Sequence, residues 1–74
     1  MITRNCRLVY PPSLLREPII SQLIQRFELT ANILQAHISL DEGWLEIELI
    51  GEPHTIKSAL MWLEESGIEV IALD

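Results

Sequence analysis

The fold turns on one stretch, Ala31-Asn32-Ile33-Leu34-Gln35-Ala36-His37-Ile38-Ser39-Leu40-Asp41-Glu42-Gly43-Trp44-Leu45-Glu46-Ile47-Glu48-Leu49-Ile50. From Ala31 to Leu40 the side chains alternate with period two. Leu34, Ala36, Ile38 and Leu40 share one face, and Ile33, Gln35, His37 and Ser39 the other. Trp44 to Ile50 alternates as well, with Leu45, Ile47 and Leu49 inward and Trp44, Glu46, Glu48 and Ile50 outward. Between them Asp41-Glu42-Gly43 reads as a tight turn in which Gly43 is free to take a positive φ. Two strands joined by so short a loop are antiparallel neighbours. A hairpin therefore stands at the centre of the chain.

Upstream, Arg4 to Tyr10 alternates, with Cys6, Leu8 and Tyr10 on one face and Asn5, Arg7 and Val9 on the other. Pro11-Pro12 stops that strand. After Pro18, expected in a helix's first turn, Ile19, Ile20, Leu23, Ile24 and Phe27 recur at helical spacing. Downstream, a second helix is expected from about Pro53 to about Glu65, with Ile56, Ala59, Leu60 and Leu63 as its buried stripe. Gly67 then supplies the left-handed residue that ends a helix. Glu69 to Leu73 makes a last strand. Strand, helix, strand, strand, helix, strand is the order of an α+β, ferredoxin-like βαββαβ sandwich. Its four-stranded antiparallel sheet carries both helices on one face. The other face has nothing in the chain to cover it, and Arg7 can meet Glu46 or Glu48 across it.

With 74 residues there is room for one core, so residues 1–74 are read as a single domain. An apolar fraction of 49% is high for so little interior, and it points to a self-associating surface. Cys6 is the only cysteine, so no internal disulfide staples the fold, and alternation places it in the core. His37 and His54 are the only histidines, and no metal-ligand spacing accompanies them, so no metal and no cofactor are expected. A net charge of −6, from 11 acidic and 5 basic residues, repels phosphate and argues against nucleic acid and acidic lipid. No apolar run reaches membrane-spanning length, and the first residues do not read as a signal peptide. An unpaired cysteine suits a reducing compartment, and the cytoplasm is expected. The carboxylate pairs Asp41-Glu42, Glu46/Glu48 and Glu64-Glu65 fall in a turn, on a strand face and at a helix end. None is placed to split two pKa values for acid/base work, and no catalytic residue is assigned.

One polar residue stands out where the chain enters the second strand: Asn32, in Leu29-Thr30-Ala31-Asn32-Ile33-Leu34. By itself it reads as a turn former that makes local hydrogen bonds. Asn32-Ile33-Leu34, followed by Ala36, resembles the signature of the NIL domain family. The matching pattern extends over Phe27, Gly43, Gly51, Ala59, Trp62-Leu63 and Val70. The resemblance implies the ferredoxin-like fold and a role like that of the regulatory domain at the C-terminus of methionine-importing ABC ATPases. There such domains pair and bind methionine, and the motif's Asn, here Asn32, contributes to the site. A carboxamide suits that task because it donates to a carboxylate and accepts from an ammonium. Without a phosphate-binding loop or a cysteine set for an iron–sulfur cluster, the chain resembles the family's free-standing copies.

The expectation is therefore a non-enzymatic regulatory module, homodimeric, binding an amino acid such as methionine through Asn32, Ile33 and Leu34. Val9, Trp44 and Ile50 are the expected interface residues on the open face. The alternative is a protein–protein interaction module that uses the open face or an edge strand and takes no small ligand.

Overall fold

Along the first strand Cys6, Leu8 and Tyr10 are buried while Arg7 and Val9 between them are half-covered, as period two requires of a sheet with one face in a core. The computed structural model describes residues 1–74. Strand β1 runs Ile2–Tyr10 and leads through a 3-10 turn at Pro12–Leu14 into α1, Ile19–Arg26. Strands β2, Leu29–Ile38, and β3, Gly43–Gly51, form the hairpin. Helix α2, Pro53–Glu65, and strand β4, Glu69–Ala72, complete the chain. The strand order is β2-β3-β1-β4 with every pairing antiparallel. This is the α+β, ferredoxin-like arrangement the sequence implies.

The core lies between one sheet face and the two helices. Leu8, Leu45, Ile47 and Leu49 from the central strands meet Leu23 of α1 and Ile56, Ala59 and Leu63 of α2. Trp62 closes the flank: Phe27 packs edge-on to it at 6.2 Å between ring centroids, and the Arg26 guanidinium lies 5.3 Å over its ring. Helix α2 starts on Pro53, whose missing N–H is no loss in a first turn. It ends in a Schellman motif. Gly67 takes φ +101°, its N–H donates to Glu64 O and the Ile68 N–H donates to Leu63 O at 3.0 Å. Ile68 is buried beside the core by the same turn.

Several expectations are corrected. Pro18 caps α1 from outside and is not in its first turn. Ile24, placed in the buried stripe of α1, is 47% exposed, and Leu60 of α2 is only half-buried. Gly43 does not take a positive φ; it is the first, extended residue of β3. Its lack of a side chain is needed for packing, because a Cβ there would run into Leu15 Cδ2. The hairpin loop is closed instead by Ser39, whose N–H donates to Glu42 O at 2.8 Å.

The largest correction is in β2. It begins at Leu29, two residues earlier than alternation indicates, so Asn32 lies inside the strand and not in a turn before it. The pairing with β3 goes from Ile33↔Ile47 to Gln35↔Glu46 and skips Leu34, which is a bulge. Each bulge reverses the faces of what precedes it. Ile33, expected on the open face, sits on the helix side opposite buried Ile47, and Asn32 takes the open face opposite Glu48.

Candidate functional site

Register across the sheet arranges the open face in rows. Thr30, Ile50 and Thr3 form one; Asn32, Glu48 and Asn5 the next; then Gln35, Glu46, Arg7 and Ile71; and last His37, Trp44, Val9 and Glu69. Residues within a row share a face because paired residues of an antiparallel sheet point to the same side, and only the last two rows reach β4.

The row of Glu46 is internally satisfied. Arg7 Nε and Nη2 both donate to Glu46 Oε2, at 3.0 and 2.5 Å, and Gln35 Nε2 donates to Oε1 at 3.3 Å. The Arg7 guanidinium also lies 4.3 Å over the Trp44 ring, and His37 stacks on that ring from β2 at 6.1 Å and 23°. This is the cross-strand ion pair expected from the sequence, worth about 0.2–1 kcal/mol at such a half-open position. It is also the one salt bridge in the chain.

The row of Glu48 has no cation. Asn32 Nδ2 donates to Glu48 Oε1 at 3.1 Å, while Oε2 accepts from no protein group. Beside it on β1, Asn5 Oδ1 is buried without a hydrogen-bond partner. Glu48 itself is half-buried. Glu48 is thus a partly solvent-exposed carboxylate with one amide donor and no cation beside it. Nothing in the alternation of β3 separates Glu48 from Glu46; the β1 register, which sets Arg7 opposite Glu46 and Asn5 opposite Glu48, does so.

Asn32, Ile33 and Leu34 do not line a common pocket. Asn32 points to the open face, Ile33 to the helix side, and Leu34 is the bulged residue; all three are exposed. The three surface grooves lie elsewhere, the largest, about 420 Å³, between the start of β1 and α2. The expected interface residues are half-buried and divided. Val9 and Trp44 are cross-strand partners at one end of the sheet, and Ile50 lies at the other. Apart from Met1 at the N-terminus, the most exposed large apolar side chains are on or just beyond β2: Ile33 at 56%, Leu34 at 53%, Ile38 at 58% and Leu40 at 96%. Sequence reasoning counted Leu34, Ile38 and Leu40 with the inward face. An eight-residue α1 spans only about 12 Å, too little to cover a ten-residue strand of about 33 Å.

Cys6 is buried as expected, and burial, with the Asp74 carboxylate nearby, pushes its thiol up to about 11. No group of three or more His, Cys, Asp or Glu side chains is placed to hold a metal ion. No helix is long and apolar enough to cross a membrane.

The NIL domain family profile matches residues 4–71, and the chain belongs to that family. A relative from Synechocystis, the uncharacterized protein ssr2439, is 35% identical over 66 residues, covering 86% of this chain and 68% of that protein. A methionine import ATP-binding protein, MetN, of Helicobacter pylori is 35% identical over 68 residues, and MetN 1 of Paraburkholderia xenovorans 39% over 70. The aligned region covers 86% of this chain but about a fifth of each of those two proteins, 21% and 20%. Among solved structures, the C-terminal domain of an ABC transporter/ATP-binding protein from Enterococcus faecalis superposes with a TM-score of 0.84 at 27% identity, over 95% of this chain and 82% of that one.

Proposed function

We propose that this NIL domain is a non-enzymatic regulatory module of the cytoplasm that binds an amino acid, methionine first among them, at Asn32 between two copies of the chain. The observation that carries the reading is the placement of Asn32. Its carboxamide stands exposed on an edge strand, next to a carboxylate with no cation partner and beside exposed Ile33 and Leu34, where no groove of a single copy encloses it. An amino acid bound there needs a second surface to exclude water, and the apolar β2 edge supplies a reason for one to come. Kinship with methionine import ATP-binding proteins favours methionine as the ligand. The obvious chemical groups are otherwise engaged: Glu46 is tied to Arg7 and Gln35, and the Cys6 thiol is held protonated.

Calorimetric titration with the common amino acids tests this. Methionine binding is expected, and Asn32→Ala should weaken it roughly ten- to hundred-fold, the effect of losing a hydrogen bond to a charged ligand group. The melting temperature should barely move, since Asn32 is exposed. Absence of heat with every amino acid overturns the reading. The second reading, a protein-interaction module without a ligand, then takes its place, favoured by the exposed Ile33, Leu34, Ile38 and Leu40. Trp44→Glu distinguishes the two ways copies can meet. It should break a dimer built on the open face through Val9, Trp44 and Ile50, and spare one built on the β2 edge.

A further inference from the structure

Glu46 and Glu48 are the same residue type on the same strand and the same sheet face, yet only one has its charge compensated. Glu46 receives three hydrogen bonds, two of them from a guanidinium. Glu48 receives one, from the neutral amide of Asn32, and no cation stands within ion-pair distance. On the same row the buried Asn5 Oδ1 has no donor.

We infer that Glu48 is the residue that recognises the ligand's ammonium group, so the site takes compounds with a free primary amine and rejects analogues without one. The inference rests on the reading of Asn32 as a ligand-binding residue. Asn32 Nδ2 carries two N–H groups; one is held by Glu48, which fixes the carboxamide, and the other remains for a carboxylate. An ammonium on Glu48 Oε2 and a carboxylate on Asn32 Nδ2 sit side by side, as the two charged groups of an amino acid do. An analogue with a hydroxyl in place of the amine presents its carboxylate to an uncompensated Glu48 and lacks a cation to offset the repulsion. Selectivity then comes from the clash as much as from the contact.

The test compares L-methionine with 2-hydroxy-4-(methylthio)butanoate, its hydroxyl counterpart, on wild type and on Glu48→Gln. Wild type should bind methionine roughly ten- to hundred-fold more tightly than the hydroxy acid. Glu48→Gln, which keeps the shape and the bond to Asn32 but not the charge, should lose most of that preference, chiefly by weakening methionine. Equal binding of the two compounds by wild type overturns the inference without needing a folded variant. So does a Glu48→Gln protein that loses both compounds equally, which would mark Glu48 as structural support only. A wild type that binds no amino acid overturns the underlying reading as well, and that outcome is distinct because it appears before any substitution is made.

Discussion

Strands β2 and β3 are hydrogen-bonded neighbours of nearly equal length, and they occupy opposite physical situations. In β3 every second residue is buried and the rest are half-covered; in β2 seven consecutive residues, Asn32 to Ile38, are exposed on both faces. Position in the sheet makes the difference. β3 has β1 beside it and α2 over it, while β2 is an edge that the short α1 leaves bare. Alternation in the sequence therefore carries different meanings in the two strands. In β3 it separates core from surface. In β2 it separates a face with no helix from a face whose helix stops short. A strand whose apolar residues are left wet is open to pairing with another chain, and β2 carries Asn32 within it.

Substitution at a facing pair breaks or sharpens the contrast. Ile47 is fully buried and Ile33, its partner on β2, is 56% exposed. Ile47→Ala should cost about 2–5 kcal/mol in denaturant unfolding, which in so small a domain approaches the whole stability. A cost near zero would mean β3 is not the centre of the core.

Cys6 pairs with Ile47 from the β1 side and tests the same buried zone through pH. Burial raises its pKa from 9.0 to about 11, so the native state holds the proton longer than the unfolded chain does. That stabilisation is complete below pH 9 and is lost as pH rises through about 11. Denaturant midpoints should fall over this window in wild type, and less so in Cys6→Ala. Equal slopes would refute the assignment of the loss to this thiol.

Arg7→Met, on the half-covered face, removes the ion pair with Glu46 and the guanidinium over Trp44. It should cost no more than about 1 kcal/mol. The smallest folding effect belongs to Ile33→Ala, expected below about 0.5 kcal/mol for a dilute single copy. Its consequence should appear in self-association instead. If Ile33→Ala destabilises the isolated domain as much as Ile47→Ala, the contrast between the strands is wrong.

The element order, the antiparallel hairpin, the face of β1 and the role of Gly67 were legible in the sequence, because each depends on local period or on a single backbone requirement; an ion pair of Arg7 with β3 was legible too, but not which of Glu46 and Glu48 it takes. What was not legible depends on counting across strands. The bulge at Leu34 has no signature in composition, and it alone sends Ile33 to the helix side and Asn32 to the open face beside Glu48. Gly43 was read as a turn glycine because its neighbours are turn residues. Its actual constraint, Leu15 packed against it, comes from a segment 28 positions upstream. The exposure of Ile38 and Leu40 could not be read either, since it depends on how far α1 reaches over the sheet.

If a second copy completes the proposed site at Asn32, ligand and dimer must stabilise each other. Sedimentation equilibrium across a range of protein concentrations, with and without saturating methionine, measures that coupling directly. A lower dimer dissociation constant is expected with methionine, and no such shift in Asn32→Ala. A dissociation constant that is the same with and without methionine in the wild-type chain would contradict it.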